Sequence, residues 1–212
     1  MPASVSKYAC ELIGTFFLVL TIGCTVLAGG TGVIPPLAIG SALMVMIFAG
    51  GHLSGGHFNP AVTLGVWLRG RCDTKDVVPY MVAQVAGAVL AALAVGFLRP
   101  DAKIDAATPD VARALLAEFL FTFALVYVVL NTATAKATSG NSFYGLAIGF
   151  TVLTGAFAVG DISGGAFNPA VAVGISVLGL SAWPNLWIFL AANFVAGAAA
   201  ALVFRALNST DR

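Results

Sequence analysis

Two asparagine-containing segments repeat in this chain and carry the residue types on which its chemistry depends. They are residues 53–65 and 162–174, and they match as Ser-Gly-Gly-x-Phe-Asn-Pro-Ala-Val-x-x-Gly with an offset of 109 positions. Asn is a preferred residue at the N-cap of a helix, and Pro suits the first helical position because its ring fixes φ there. Asn59 and Asn168 are therefore predicted to begin two helices, with amide groups free to donate hydrogen bonds.

Each of these helices is predicted to be too short to cross a membrane. About ten apolar residues follow the Asn before polar Arg69 or Ser181, which gives roughly 15 Å, or half of a bilayer core of about 30 Å. A helix that ends inside the membrane leaves backbone groups unpaired, which is tolerated only in protein or beside a wet cavity. Two half-helices from opposite faces would meet with their N-termini at the midplane, where the dipoles and both amides favour neutral solutes and repel cations.

The simplest interpretation of one Asn-Pro-Ala motif is a capped helix start. Two copies with matched flanking residues favour a functional role instead.

The wider composition agrees with a membrane protein, because 59% of the 212 residues are hydrophobic, only 9% are charged and the mean hydropathy is +0.98. A soluble domain carries about 25% charged residues.

Long apolar runs separated by charged residues predict six transmembrane helices in a single domain of residues 1–212. The predicted spans are 8–29, 33–50, 77–98, 111–131, 142–159 and 183–207, and the half-helices are 59–68 and 168–180. Three spans fall in each half, so a second repeat (106–212) is expected to be inverted relative to the first (1–105).

The distribution of Lys and Arg predicts the orientation. Placing both termini in the cytoplasm puts seven basic residues inside and three outside, which obeys the positive-inside rule. The inside residues are Lys7, Arg69, Arg71, Lys75, Lys136, Arg205 and Arg212, and the outside ones are Arg99, Lys103 and Arg113.

The charge and the motifs also exclude several classes of function. A net charge of +1 argues against a nucleic-acid partner. No nucleophile with a paired base, phosphate-binding loop or metal cluster is apparent, so no enzyme activity, cofactor or metal is expected. The expected partners are membrane lipid, water and small neutral solutes.

The twin motifs, their Ser-Gly-Gly approaches and the surrounding spans resemble the aquaporin, or major intrinsic protein, family over nearly the whole chain. The resemblance implies an all-α membrane protein, a right-handed bundle of six transmembrane helices and two re-entrant half-helices, in the cell membrane. It further implies a homotetramer with one pore per protomer. The motif residues that would lie at the pore are Asn59, Pro60, Ala61, Asn168, Pro169 and Ala170.

Glu11 and Glu118 lie within apolar spans, where an ionisable group is costly and marks a candidate functional site. A proton relay would need titratable partners, which this sequence hardly offers. The resemblance implies that both glutamates brace the two loops by accepting backbone N–H groups. It also implies ladders of carbonyl groups along the lumen at Gly55, Gly56, His57, Gly164, Gly165 and Ala166. For His57, hydrogen bonding within the loop is favoured over metal binding, because further ligands are missing.

The selectivity filter departs from the family pattern. An arginine normally follows the second Asn-Pro-Ala, and this position is Val171 here; spacing places Ile39, Ala156 and Gly165 at the other three positions. Such a ring has no fixed charge and little bulk, so it predicts a wider, more apolar constriction than that of a strict water pore. The aspartate typical of glycerol-conducting members is replaced by Ala172.

These features predict a passive channel for water and small uncharged solutes such as glycerol, urea or neutral metalloid hydroxides. A strictly water-selective aquaporin is the alternative. An ion-coupled secondary transporter is less favoured, although inverted repeats and broken helices occur there too. A structural membrane protein is the remaining possibility.

Overall fold

A computed structural model describes residues 3–27, 32–102 and 106–211 of the chain. Within these residues it contains eight α-helices. The long helices are α1 (Ala3–Val26), α2 (Ile34–Ser54), α4 (Thr74–Leu98), α5 (Val111–Val129), α6 (Tyr144–Ser163) and α8 (Leu186–Leu207); the short ones are α3 (Pro60–Leu68) and α7 (Pro169–Val177). The six long segments are each apolar and long enough to cross a membrane.

Some predicted features fall outside the described residues. They are the end of the first span at Gly29, Gly30 and Thr31 of the following turn, and the basic residues Lys103 and Arg212 used for orientation.

The two short helices pack across the molecule. The long helix α1 contacts α2 and α4, α5 contacts α6 and α8, and α2 meets α6. The short helix α3 packs against α8, and α7 packs against α4. Each short helix is therefore held by a long helix from the other half of the sequence.

Small residues allow these helices to approach closely. A side chain added at Gly197 in α8 would place its Cβ 2.7 Å from the carbonyl oxygen of Ala61 in α3. Gly87 in α4 faces the carbonyl oxygen of Leu12 in the same way. These two glycines therefore allow neighbouring helices to pack at close range.

Several predicted boundaries were wrong. The second and fifth spans were predicted to end at Gly50 and Val159, but α2 and α6 continue to Ser54 and Ser163. The helices stop at the first glycine that takes a left-handed conformation, with φ of 92° at Gly55 and 94° at Gly164. The two glycines of each Ser-Gly-Gly are therefore the stop signal.

The other boundary corrections concern helix ends near polar residues. The second half-helix ends at Val177 instead of position 180, because Gly179 has a φ of 78°. The first span begins at Ala3 instead of Tyr8 and the third at Thr74 instead of Val77. In this region Lys7 pairs with Asp76 at 2.8 Å, so polar residues extend both helices beyond the apolar runs.

Candidate functional site

The two short helices begin in nearly the same geometry. Asn59 is extended (φ −159°) and its Oδ1 accepts a hydrogen bond from the backbone N–H of Ala61 at 2.8 Å. Asn168 is likewise extended (φ −161°), and its Oδ1 accepts from the N–H of Ala170 at 2.9 Å. In both helices Pro occupies the first position, so the sequence signals for a capped start are realised at both sites.

The approach to each helix contains a strained residue. Phe58 and Phe167, directly before the asparagines, have φ of 48° and 46°. Bulky side chains rarely adopt this left-handed region, so the surrounding contacts must hold it. Both rings are almost fully buried, at 1% exposure.

Two buried carboxylates hold the approach segments. Glu118 accepts hydrogen bonds from the N–H groups of Ala166 and Phe167 at 2.9 and 2.7 Å. Glu11 accepts from the N–H groups of His57 and Phe58 at 2.9 and 2.6 Å. These bonds satisfy backbone donors that would otherwise be unpaired in the interior.

The amide nitrogens of the two capping asparagines join the halves of the protein. Asn59 Nδ2 donates to the carbonyl oxygen of Phe167 at 2.9 Å, and Asn168 Nδ2 donates to that of Phe58 at 2.8 Å. Each Nδ2 carries two hydrogens, so one hydrogen of each amide is left for another acceptor. The amino ends of α3 and α7 therefore meet in the interior.

A cavity of about 80 Å³ adjoins this junction. Its wall includes both asparagines, Asn59 and Asn168. The same wall brings together all four residues that spacing assigned to a constriction: Ile39, Ala156, Gly165 and Val171. Most of the remaining wall is aliphatic.

A larger cavity of about 980 Å³ lies on the other side of His57. The two cavities share His57, Val129 and Ile148 in their walls. The larger one is also lined by polar groups such as Arg71 and Lys136. The two cavities therefore adjoin at the three shared residues, and the asparagine pair lies in the wall of the smaller one.

In the two segments of the predicted carbonyl ladders, backbone N–H groups are hydrogen-bonded among the described residues, whereas the carbonyl oxygens are not. The N–H groups of Gly165 and Ala166 bond to Ser163 Oγ and Glu118 at 3.1 and 2.9 Å. The carbonyl oxygens of residues 55–57 and 164–166 accept no hydrogen bond from the described part of the chain. Gly56, His57, Gly164, Gly165 and Ala166 line the smaller cavity, and Gly55 lines the larger one.

Four further motif residues lie away from these walls. Pro60, Ala61, Pro169 and Ala170 form the first turns of the short helices and are buried. His52 lines the larger cavity, and Asp161 is exposed near the end of α6. The described residues contain no group of three or more possible metal ligands.

Sequence reasoning missed four polar residues that complete the supports. Ser54 and Ser163 each donate to the nearby glutamate, at 2.6 and 2.8 Å. Gln84 donates to Glu11 at 2.7 Å, and its counterpart Asn193 accepts from a threonine hydroxyl at 2.9 Å. Ser163 lies 109 positions after Ser54, and Asn193 lies 109 positions after Gln84, as in the repeated motifs. This offset is the signal that would have found them.

A charged cluster next to Lys136, which lines the larger cavity, was also missed. The side chain of Arg69, only 1% exposed, donates to Asp211 at 2.7 Å and stacks over the ring of Phe204. Asp211 also accepts from the backbone N–H of Lys136 at 2.7 Å. That hydrogen bond and the Arg69 guanidinium hold the pKa of Asp211 below its usual range. Nothing local in the sequence connects position 69 with position 211.

Comparisons with known proteins agree with this geometry. The family model described as Major intrinsic protein matches residues 2–204. The chain is 37% identical to "Aquaporin NIP1-3" of Oryza sativa subsp. japonica, over 97% of the chain and 75% of that protein. It is 35% identical to "Glycerol uptake facilitator protein-like 6" of Lactiplantibacillus plantarum, over 97% and 99% of the two chains.

A solved structure shares the fold. The X-ray structure of the aquaglyceroporin from Plasmodium falciparum superposes with a TM-score of 0.80, at 24% identity and with 95% of each chain covered. This likeness confirms the predicted fold class of six membrane-spanning helices and two short re-entrant ones. The family match over most of the sequence confirms a multi-pass membrane protein. The chain therefore belongs to the major intrinsic protein family of membrane channels.

Proposed function

We propose that this protein is a passive channel for water and small uncharged solutes. The observation that carries the proposal is the cavity beside the asparagine pair, because its wall also contains Ile39, Ala156, Gly165 and Val171. These four residues are named the constriction ring from here on. One relative is named an aquaporin and another a glycerol uptake facilitator, which fits a solute range from water to glycerol.

The midplane is the proposed barrier to cations. The amino ends of α3 and α7 carry partial positive charge, and they meet where Asn59 and Asn168 donate to the opposite approach segments. A neutral solute accepts the remaining amide hydrogens there. A cation is repelled by both helix ends, and no fixed charge in the constriction ring contributes.

In the proposed mechanism, the carbonyl oxygens of residues 55–57 and 164–166 accept hydrogen bonds from the passing solute in place of the bulk water that it has left. They accept nothing from the described residues, while Glu11 and Glu118 bind the neighbouring N–H groups. The glutamates thus act as braces that turn the acceptors toward the solute. Proton transfer through them is not part of the proposal.

The constriction ring sets the proposed size limit. Its side chains are aliphatic or absent, so urea, glycerol and neutral metalloid hydroxides of similar size are admitted together with water. A strictly water-selective channel is the competing interpretation. It requires these side chains to close to the width of one water molecule.

The organisation in the membrane completes the proposal. The duplicated contacts support a single domain made of repeats 1–105 and 106–212, with the second inverted. The basic residues Arg71 and Lys136 beside the larger cavity support a cytoplasmic position for that cavity and for both termini, in the cell membrane. A homotetramer is proposed on the family assignment alone.

Stopped-flow light scattering on proteoliposomes tests the function. Under an impermeant osmolyte, vesicles containing the protein should shrink faster than empty vesicles. In a separate experiment with glycerol or urea as the osmolyte, they should shrink and then reswell as the solute enters. Fast shrinkage with complete reflection of every solute would favour the water-only channel. Transport that saturates and requires an ion gradient would favour a secondary transporter. No acceleration with any neutral osmolyte would refute the channel.

A further inference from the structure

The constriction ring contains no side-chain hydrogen-bond donor. Its backbone donors are also occupied, because the N–H of Val171 bonds to Asn168 Oδ1 at 3.3 Å and that of Gly165 bonds to Ser163 Oγ at 3.1 Å. The N–H groups of Ile39 and Ala156 lie within α2 and α6, where they donate to carbonyl oxygens of the preceding helical turn. A solute in the ring therefore finds no N–H or O–H to bind.

In the approach segment beside the ring, residues 164–167, the backbone N–H groups are hydrogen-bonded as well. The N–H of Gly164 bonds to the carbonyl oxygen of Gly160 at 2.9 Å, and those of Ala166 and Phe167 bond to Glu118. The carbonyl oxygens of residues 164–166 accept nothing from the described residues. This side of the passage offers acceptors without donors.

Away from the ring, the wall does contain donors: the amides of Asn59 and Asn168, the imidazole of His57, and polar residues of the larger cavity such as Arg71 and Lys136. Each amide has one hydrogen left after its bond to the opposite carbonyl. Most of the rest of the cavity wall beside the ring is built from aliphatic residues such as Ile22, Val26 and Val152. A solute that enters the smaller cavity from the side of the ring thus crosses the ring before it reaches a donor.

Because the ring and its neighbouring segment offer acceptors without donors, we expect a neutral solute to pass more slowly the more hydrogen-bond-accepting groups it carries. A hydroxyl group can give its hydrogen to a ladder carbonyl, but its oxygen loses the donors that water supplied. Leaving a buried acceptor unpaired is unfavourable, and one such group changes a rate by about tenfold. A methyl group in place of a hydroxyl instead gains contact with the aliphatic ring.

We propose, as an extension that rests on the channel function, that the constriction ring favours short alcohols and diols over polyols and amides of the same length. The preferred solute has a hydroxyl on one edge, which donates to the ladder, and an apolar edge that faces Ile39 and Val171. Propanediols should therefore pass more readily than glycerol, which has the same carbon chain and one hydroxyl more.

The experiment measures reswelling of proteoliposomes in 1,2-propanediol, 1,3-propanediol and glycerol, with the rate of empty vesicles subtracted for each solute. The wild-type protein should conduct both diols about tenfold faster than glycerol. A diol-to-glycerol ratio of one or less overturns the inference. Water permeability in the same vesicles tests the channel itself, since a failed channel conducts neither water nor any solute above the empty-vesicle rate.

A matched pair of variants separates hydrogen bonding from width. Ile39→Gln adds donors to the ring, and Ile39→Met has nearly the same length without them. The ratio should fall toward one in Ile39→Gln and should not fall in Ile39→Met. Equal ratios in the two variants would mean that width determines the preference and would overturn the inference. If either variant does not reach the membrane, the wild-type ratio decides.

Discussion

Asn59 donates a hydrogen bond from Nδ2 to the carbonyl oxygen of Phe167 at 2.9 Å, across 108 positions of sequence. The reciprocal bond runs from Asn168 to Phe58 at 2.8 Å. Each asparagine therefore caps its own helix with its oxygen and holds the opposite approach segment with its nitrogen. Neither short helix is placed without the other.

Removal of one cross-bond should destabilise the protein. Asn168→Asp keeps the capping oxygen but loses the Nδ2 donor, so the carbonyl of Phe58 is left unpaired at a cost of about 1–3 kcal/mol. We expect a lower midpoint of thermal unfolding in detergent. Asn185→Asp is the control, because its amide donates to Ala107 at the surface. Equal shifts in the two variants would contradict the role of the cross-bond.

The glutamates should act on stability and not on proton conduction. Glu118→Gln replaces one acceptor oxygen by an NH₂ group that faces backbone N–H donors, so about 1–3 kcal/mol of unfolding free energy should be lost. Proton leak, measured with a pH-sensitive dye inside proteoliposomes, should match that of the wild type. A relay would instead show a slower leak in the variant with little change in unfolding.

The close contact between α3 and α8 should be sensitive to one methyl group. In Gly197→Ala the new Cβ would lie 2.7 Å from the carbonyl oxygen of Ala61, so overpacking should cost about 1–3 kcal/mol. In Gly96→Ala the new Cβ meets nothing within 4 Å, and the better helix former should stabilise by about 0.5–1 kcal/mol. Opposite shifts of the unfolding midpoint check this, and shifts of the same sign would not fit.

A bulky cation at position 171 should narrow the passage. Val171→Arg places a guanidinium in the constriction ring, so glycerol flux should fall by about tenfold or more while water flux falls less. Stopped-flow rates for both solutes in the same vesicles give the comparison. Unchanged glycerol permeation would mean that Val171 does not line the constriction.

The contact between Arg69 and Asp211 should weaken in acid. Because the pKa of Asp211 lies below its usual range, the carboxylate stabilises the folded protein at pH values above about 3.9. That contribution is lost as the pH falls through the lowered folded-state pKa. Unfolding midpoints of wild type and Asp211→Asn should differ at pH 7 and converge in strong acid. A constant difference across this range would exclude the carboxylate as its source.

Local signals in the sequence predicted the main architecture. The Asn-Pro pairs gave the starts of α3 and α7, since N-cap preference and the fixed φ of Pro act within a few residues. The apolar runs gave the six spans, and the matched motifs indicated the family. Membership of that channel family also agrees with the expectation that the chain is not an enzyme.

What sequence reasoning missed depends on contacts between distant segments. The ends of α2 and α6 were placed too early because a glycine stops a helix only where its φ turns positive, as at Gly55 and Gly164. The bonds of Ser54 and Ser163 to the glutamates form only when separate helices meet. Local propensity carries no information about such pairs.

The central claim is that solutes pass through the cavity beside the asparagine pair, and a blocked cavity tests it most directly. Ala156 lines that cavity, whereas the next residue, Phe157, is 49% exposed on the outer surface. The measurement is the osmotic water permeability of proteoliposomes that contain equal amounts of Ala156→Trp, Phe157→Trp or wild-type protein. The account predicts that Ala156→Trp falls to the rate of empty vesicles while Phe157→Trp keeps the wild-type rate. Equal permeability in Ala156→Trp and wild type would contradict it.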